Sequence, residues 1–472
     1  MLIGRKEEIR KLKEAYESEY SEFVAVYGRR RVGKTFLIRE TFNYQFTFSH
    51  TGLSKKNTRS QLREFYLSLK RHGNKDTPSP SNWQEAFDCL STFLENSSDK
   101  KKVVFIDEMP WMDAPRSGFL QALEHFWNGW ATARKDILLI ICGSASSWII
   151  NKILKNHGGL HNRVSTRIHL KPFTLNECEE YAVSRKLGMS RTQLAEAYMI
   201  MGGIPFYWSK LDRTKSLAQN IDSLFFSTDG EFRHEFDELY ASLFQRPEKY
   251  LKIIETLATK KAGLTRGELA VKSGLDDNGK LSQMLENLSY CGFIRKYCHL
   301  GKKVKDAMYQ LIDNYTLFYY QFIRNNPSTD DNYWTKSIGR PQYNTWCGLA
   351  FERLCLLHTR QIKAALGISG ILTHVYSWFA APSEDKQGAQ IDMLIERADN
   401  VLDICEMKYS QTPYAITSGY RNTLLNKAGR LSDETAGKQA VHIVMVTVNG
   451  LVRNQYTDII NNEITLEDLF RP

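Results

Sequence analysis

One short motif constrains this chain more than any other feature. Residues 28–35, Gly-Arg-Arg-Arg-Val-Gly-Lys-Thr, match the pattern GxxxxGK[ST], and they follow the apolar run Phe23–Tyr27. A helix is predicted directly after them, over Phe36–Thr41. The glycines permit a tight loop with inward-pointing N–H groups, and the N-terminus of the helix favours an anion. Strand, loop and helix together predict a phosphate-binding loop on an α/β sheet rather than a chance glycine turn.

The residue types of this loop indicate which phosphate compound it takes. A lysine at the position of Lys34 reaches β- and γ-phosphates, and a hydroxyl at Thr35 is a ligand for Mg²⁺. ATP with Mg²⁺ is therefore the predicted cofactor pair. The predicted nucleotide-binding residues are Gly28, Arg29, Arg30, Arg31, Val32, Gly33, Lys34, Thr35 and Phe36.

A second apolar strand, Val103–Ile106, ends in the carboxylates Asp107 and Glu108. At the carboxyl end of a parallel strand, Asp107 can hold the hydration shell of Mg²⁺ and Glu108 can polarise the attacking water. Acidic residues after a strand also serve as helix caps, which is the alternative.

Two further candidates flank the later strands of this region. Ser144 follows the run Ile137–Cys142 and can contact the γ-phosphate or the attacking water, or cap a helix. Arg163 precedes a strand at Ile168–Leu170. It is a candidate arginine finger toward a neighbouring subunit, with an ordinary surface arginine as the alternative and Arg167 as a second candidate.

Composition sets the class of protein. The 472 residues suit two to four domains, and 42% hydrophobic with 25% charged residues is typical of globular proteins. The eight cysteines form no CxxC pair, and the charged N-terminus lacks a signal-peptide core. We expect a soluble, cytoplasmic protein with reduced cysteines that does not enter a membrane. His157 and His161 are spaced by four residues, but the glycines between them make a metal role an unfavoured interpretation.

Several motifs in residues 1–230 resemble one family. They are the phosphate loop, the FIDE box at 105–108, CGSASS at 142–147, NRVSTRIHLKPF at 162–173, Gly202-Gly-Ile-Pro205 and the opening Ile3-Gly-Arg-Lys-Glu-Glu8. Together they resemble the archaeal and bacterial AAA-type P-loop ATPases of the STAND group. The resemblance implies an ATP-hydrolysing switch that can assemble into homo-oligomers. It also implies a conformational sensor at Gly202–Pro205, for which a simple helix break is the alternative.

The middle of the chain carries the densest positive charge. Residues 241–310 have 13 basic and 7 acidic residues, whereas residues 311–472 have 15 and 17. Helical patterns and a two-stranded wing predict a winged helix-turn-helix, with Thr265 and Glu268 as a capping box. The basic residues predicted at the tip of the wing, suitably charged for phosphate contacts, are Arg295, Lys296, Lys302, Lys303 and Lys305. DNA contact and docking inside the molecule both stay open.

Acidic and basic side chains recur on two predicted strands near the C-terminus. Asp392 lies on one, and Glu406 and Lys408 share a face of the next, because side chains alternate along a strand. Two carboxylates that hold a metal and a lysine that positions water suit Mg²⁺-assisted phosphodiester hydrolysis. Glu352, on a preceding predicted helix, can complete the site.

This D…(x13)…ExK pattern over residues 340–450 resembles the PD-(D/E)XK nuclease superfamily. The predicted architecture is α/β: a P-loop NTPase parallel sheet with a helical lid, a winged helix and a restriction-endonuclease-like domain. The expected divisions are 1–175, 176–245, 246–312 and 330–472, with a polar linker at 325–332. The hypothesis is an ATP-driven switch controlling a Mg²⁺-dependent nuclease-like module that acts on DNA. The alternative is a DNA-binding regulatory ATPase with an inert nuclease-like scaffold.

Overall fold

The structure is a computed structural model that describes residues 2–74, 78–155, 158–244, 246–302, 306–324, 326, 330–384 and 386–472. The chain divides into two compact units, Met1–Pro172 and Phe173–Pro472. In the described ranges, no helix has both the length and the apolar character needed to cross a bilayer. His157, Lys303, Lys305 and half of the predicted linker lie outside the described residues.

The first unit is built on a parallel sheet with the strand order β2-β3-β4-β1-β5. The strands are β1 Glu22–Tyr27, β2 Phe48–Thr51, β3 Lys102–Asp107, β4 Ile137–Gly143 and β5 Thr166–His169. The helices are α1 Lys6–Glu17, α2 Lys34–Thr41, α3 Thr58–Arg71, α4 Trp83–Glu95, α5 Phe119–His125 and α6 Ser146–Trp148. Every residue of β3 and β4 is buried, because helices cover both faces of such a sheet. The predicted parallel sheet is confirmed.

One strand begins later than its apolar run predicts. The run Gln45–Ser49 predicts a strand from the sequence, but the structure has this strand at Phe48–Thr51. Asn43 and Tyr44 both have positive φ, and the N–H of Tyr44 donates to the carbonyl of Arg39 at 2.8 Å. The Gln45 N–H also donates to the Phe42 carbonyl at 2.9 Å. This left-handed exit from α2 therefore extends to the first residue assigned to the strand and delays its start.

Strand order decides which loops meet. β4 lies between β1 and β3. All three strands are parallel, so their carboxyl ends share one edge of the sheet. The phosphate loop, the pair Asp107 and Glu108, and Ser144 therefore meet at that edge.

The second unit starts with a run of helices and continues into a small antiparallel sheet. The helices are α7 Leu175–Ser184, α8 Arg191–Met201, α9 Pro205–Trp208, α10 Leu217–Ile221, α11 Glu235–Leu243, α12 Pro247–Ala258, α13 Arg266–Ser273 and α14 Gly279–Tyr290. The strands are β6 Leu264–Thr265, β7 Ile294–Tyr297 and β8 Met308–Leu311, in the order β6-β8-β7. The predicted capping box is confirmed, since Thr265 Oγ1 accepts from the N–H of Glu268 and the Glu268 carboxylate accepts from the N–H of Thr265.

A mixed sheet forms the rest of this unit, in the order β15-β13-β11-β10-β9. The remaining strands are β9 Thr373–Ala380, β10 Ala389–Arg397, β11 Val401–Lys408, β12 Tyr414–Ala415, β13 Ala440–Thr447, β14 Leu451–Val452 and β15 Asn462–Thr465. The remaining helices are α15 Asn314–Phe318, α16 Tyr333–Ser337, α17 Pro341–Leu357, α18 Thr359–Ala365, α19 Ser418–Glu434 and α20 Leu466–Leu469. Helix α17 packs against β11, and α19 packs against β10 and β13.

The helix predicted over Trp346–Lys363 is two helices, α17 and α18, with a break at His358. The His358 ring explains the break. Its Nε2 accepts from the N–H of Leu175, and its Nδ1 contacts the carbonyl of Leu354 at 2.8 Å. Burial lowers the pKa of His358 to about 4, so the neutral ring ties the start of α7 to the end of α17.

Candidate functional site

The phosphate loop has the backbone that its glycines predict. Gly28 has φ +150° and Gly33 has φ +90°. A Cβ on Gly28 would lie 2.2 Å from the carbonyl oxygen of Leu170, the residue after β5. Glycine is therefore required at position 28 both by its dihedral angle and by the adjacent chain.

Lys34 is buried at the start of α2 and points back over the loop. Its ammonium donates to the carbonyls of Gly28 and Arg29, at 3.0 Å each. Burying a charge in this way is tolerated only when its donors are satisfied. The loop thus holds a positive charge beside its own backbone, at the place where a phosphate approaches.

Asp107 joins the loop to the neighbouring strands. Its Oδ2 accepts from the Thr35 hydroxyl at 2.9 Å, and its Oδ1 accepts from the Glu108 N–H at 2.9 Å and from the Cys142 thiol at 2.6 Å. Burial, with the charge of Asp107, raises the pKa of the Cys142 thiol well above its usual range, so it stays a donor. The oxygens of Thr35 and Asp107 are the hard ligands that Mg²⁺ takes, and their proximity fits that ion.

Glu108 has the left-handed φ of +47°. Its carboxylate accepts from the Ser144 N–H at 3.2 Å and from the Ser144 hydroxyl at 3.0 Å. The N-cap position of α6 belongs to Ala145, so the capping alternative for Ser144 is wrong. Ser144 instead fixes the position of the Glu108 carboxylate. Neither this contact nor that of Cys142 was predicted, because both depend on β4 lying beside β3.

Arg163 lies elsewhere on the first unit. It is exposed, in the turn before β5. β5 runs parallel to β1, with Thr166 opposite Val24 and His169 opposite Tyr27. Arg163 therefore lies at the edge where these strands begin, roughly 20 Å from the phosphate loop at about 3.3 Å per residue. Its predicted role toward a neighbouring subunit stays a prediction.

Two predicted carboxylates of the second unit converge on a lysine that the sequence did not single out. The Lys261 ammonium lies 2.7 Å from the Glu352 carboxylate and 3.5 Å from that of Asp392. Burial lowers the pKa of Lys261, but the charges of Asp392 and Glu352 more than offset this and raise it. Burial and the charge of Asp392 raise the pKa of Glu352. Glu352 and Asp392 thus form an anionic site, which the Lys261 ammonium occupies.

Asp392 lies at an irregularity of its strand. Pairing of β10 with β9 shifts register between Ile391 and Leu394, whereas pairing with β11 is regular from Met393 opposite Cys405 onward. Asp392 and Glu406 are the next residues of the two strands beyond this paired stretch. Bulges of this kind redirect side chains and are common beside functional sites.

Glu406 is buried and bound by residues of α19. Its carboxylate accepts from the Tyr420 hydroxyl at 2.9 Å and forms an ion pair with Lys427. Lys408 lies over the Tyr420 ring, with its ammonium 4.7 Å from the ring centroid. Tyr420 and Lys427 are seven residues apart, which is a spacing that puts them on one helix face. The sequence does not tell that this face packs on the sheet.

Within the described ranges, no group of three or more His, Cys, Asp or Glu side chains is arranged to hold a metal ion. The predicted ligands Asp392 and Glu406 have separate cationic partners: Asp392 pairs with Lys261, and Glu406 pairs with Lys427. The chemistry of Glu352 and Asp392 nevertheless fits a divalent cation, because two carboxylates already share one positive charge there.

The basic residues assigned to the wing are not all at its tip. Arg295 is half-buried in β7, donates to the side chain of Gln310 at 2.6 Å and lies over the Tyr297 ring. Lys296 and Lys302 are exposed. The expectation that Arg295 forms part of an exposed basic tip is therefore wrong, because its side chain turns into the sheet.

Comparison with known proteins identifies the first part of the chain. Residues 2–211 match the family of ATPase domains described as predominantly archaeal. The uncharacterized protein MJECL04 of Methanocaldococcus jannaschii is 26% identical over 357 residues, 75% of this chain and 76% of that protein. The match over residues 2–211 supports ATP hydrolysis as the reaction of this part of the chain.

Solved structures of two archaeal ATPases are similar to this chain. A Walker-type ATPase of Pyrococcus abyssi is 18% identical, with 68% of this chain and 96% of that chain covered and a TM-score of 0.49. A STAND (signal transduction ATPase with numerous domains) protein of Pyrococcus horikoshii, with a tetratricopeptide repeat sensor, is 16% identical. Coverage there is 78% of this chain and 52% of that chain, with a TM-score of 0.34.

Proposed function

We propose that the protein is an ATP-driven switch whose ATPase domain controls a Mg²⁺-dependent nuclease-like module, residues 330–472, that acts on DNA. The observation that carries the nuclease part is the convergence of Glu352 and Asp392 on one cation. ATP hydrolysis itself rests on the domain match over residues 2–211.

In the ATPase site, each residue has a role that its contacts support. Lys34 neutralises β- and γ-phosphate charge, and the loop N–H groups hold the phosphates. Thr35 and Asp107 would hold Mg²⁺, which offsets the charge that develops on the phosphates. Glu108 accepts a proton from, or orients, the attacking water, and Ser144 keeps its carboxylate in place. Phe36 and Arg29 to Arg31 border this site.

In the nuclease-like module, the proposed metal ligands are Asp392 and Glu406, with Glu352 completing the site. The ion would polarise the scissile phosphate and lower the pKa of a bound water. Lys408, on the face that Glu406 shares, offsets charge on the phosphate as the bond breaks. Its ammonium lies over the ring of Tyr420, whose hydroxyl donates to the Glu406 carboxylate.

Residues 246–312 are proposed to form a winged helix. The helices α12 to α14 and the antiparallel sheet β6-β8-β7 support this, as do the exposed Lys296 and Lys302 for a contact with DNA phosphates. Docking inside the molecule is supported by a second set of contacts. His299 forms a bridge with Ser377 of β9, and Leu300 packs into the apolar cluster around Trp378. Assembly into homo-oligomers and a cytoplasmic location complete the proposal.

One observation favours a second function, a DNA-binding regulatory ATPase whose nuclease-like domain is only a scaffold. Lys427 and Tyr420 already satisfy the Glu406 carboxylate. To bind a metal, this carboxylate must give up a hydrogen bond and an ion pair. Relatives of a nuclease can also keep its fold after losing its activity.

A cleavage assay separates the two functions. Wild-type protein is incubated with DNA and Mg²⁺, with ATP, ADP or no nucleotide, beside Asp392→Asn and the control Asp331→Asn, an exposed aspartate. The nuclease proposal expects cleavage that Asp392→Asn reduces at least 100-fold and Asp331→Asn leaves unchanged. Absence of wild-type cleavage in all three nucleotide conditions would favour the scaffold function.

A further inference from the structure

We propose that Lys261 is an internal competitor for the metal, so that the segment from α12 to β8 closes the carboxylate site until it is displaced. This inference rests on the proposed nuclease-like site and adds its regulation. Lys261 lies in the turn between α12 and β6, outside the nuclease-like module, yet its ammonium is 2.7 Å from Glu352 and 3.5 Å from Asp392.

The two cations exclude each other. A divalent ion of the Mg²⁺ type requires carboxylate oxygens at about 2.1 Å. The ammonium already contacts both carboxylates, so an ion between them would be within contact distance of a like charge. Metal binding at Glu352 and Asp392 therefore requires that Lys261 leave.

The backbone of Lys261 is held so that its side chain reaches the site. Its carbonyl accepts from the Gln310 amide at 2.6 Å, and the Gln310 side-chain oxygen accepts from Arg295 at 2.6 Å. The next carbonyl, that of Ala262, accepts from the Tyr297 hydroxyl. The turn is thus attached to β7 and β8, so a displacement of that sheet carries the backbone of Lys261 with it.

The same sheet is attached to the nuclease-like module at a second place. The Leu300 N–H donates to the Ser377 carbonyl at 3.1 Å, and the Ser377 hydroxyl contacts His299 Nδ1 at 2.9 Å. A cavity of about 200 Å³ lies between the two parts, and Lys261, Arg295, Glu352 and Asp392 are among the residues that line it. Displacement of the sheet would open this cavity and remove Lys261 in one movement.

Manganese binding to the full-length protein without nucleotide tests this inference. The number and affinity of Mn²⁺ sites are measured for wild type, Lys261→Met, Lys261→Arg and the control Lys260→Met, an adjacent exposed lysine. We expect Lys261→Met to bind Mn²⁺ at least tenfold more tightly, and Lys261→Arg and Lys260→Met to bind it as the wild type does. The gain should disappear in Lys261→Met combined with Asp392→Asn.

The outcomes separate this inference from the proposed function. Equal Mn²⁺ affinity in Lys261→Met and Lys260→Met, with both variants folded by circular dichroism, would overturn it. A gain in affinity without DNA cleavage would support it and count against the nuclease. Without nucleotide and at limiting metal, wild-type cleavage as fast as that of Lys261→Met would overturn the competition and leave the nuclease in place.

Discussion

At the scale of single residues, the ATPase site depends on a few satisfied hydrogen bonds. Lys34 donates to two loop carbonyls, and Ser144 holds the carboxylate of Glu108. The proposed mechanism gives these two charged groups different roles. Lys34 would stabilise bound phosphate in the ground state, whereas Glu108 would act only on the attacking water.

Two substitutions should therefore affect binding and hydrolysis differently. Lys34→Ala should abolish ATP binding. Glu108→Gln should keep ATP bound and lower the hydrolysis rate by about 100-fold or more, because only the base is lost. Equilibrium binding of labelled ATP and phosphate release measure the two effects. The controls are Lys11→Ala and Glu19→Gln, both at exposed positions, and normal turnover in Lys34→Ala or Glu108→Gln would contradict these roles.

At the scale of elements, the motif Gly202–Pro205 shows how local sequence and packing act together. Helix α8 ends at Met201 and α9 begins at Pro205, so the motif is a helix break. Gly203 packs directly against the backbone of Phe173, whose N–H donates to the Gly203 carbonyl at 2.6 Å. A Cβ there would lie 2.0 Å from the Phe173 carbonyl oxygen. Its role as a conformational sensor stays a prediction.

Gly203→Ala should disrupt the backbone contact between Gly203 and Phe173. We expect the free energy of unfolding of the second unit to fall by about 2 kcal/mol or more, because the clash is with backbone that has no rotamer to change. Gly279→Ala is the matched control. Nothing surrounds its Cβ position at the start of α14, so a gain of about 0.5 kcal/mol is expected. Thermal unfolding measures both, and equal midpoints would contradict the close contact.

At the scale of the whole molecule, the excess of positive charge is distributed unevenly along the chain. The net charge of +10 includes +6 from residues 241–310 alone. Within the second unit, Lys261 of this basic segment contacts the carboxylates of Glu352 and Asp392. In the proposed function, the positive charge of this segment therefore serves two contacts, one with DNA phosphates and one with the carboxylates of the same chain.

A switch requires that the nucleotide state change the output. Moving Lys261 off two carboxylates costs free energy, which ATP can supply only by binding one state of the protein more tightly. We expect Glu108→Gln with ATP to cleave DNA at least tenfold faster than Lys34→Ala, a coupling of about 1.4 kcal/mol. Initial cleavage rates at saturating Mg²⁺ are the measurement. Equal rates would show that ATP binding does not control cleavage, without contradicting either ATP hydrolysis or DNA cleavage.

The sequence by itself determined the local features. The glycine spacing of the phosphate loop, the buried strands β1, β3 and β4 and the Thr265–Glu268 capping box depend on residues near one another in the chain, and these are found as predicted. Short-range sterics and hydrophobic periodicity decide such features. The late start of β2 and the break at His358 depend on contacts that the patterns do not contain.

Only the tertiary structure decided which charged groups share a site. Ser144 meets Glu108 because β4 lies between β1 and β3, and Lys427 meets Glu406 because α19 packs on the sheet. Lys261 is 91 residues from Glu352 and 131 from Asp392 in the chain, and neither spacing has a periodic signature. Ion pairs between distant segments follow from the packing of whole elements, so the partner of the predicted carboxylates appears only in the fold.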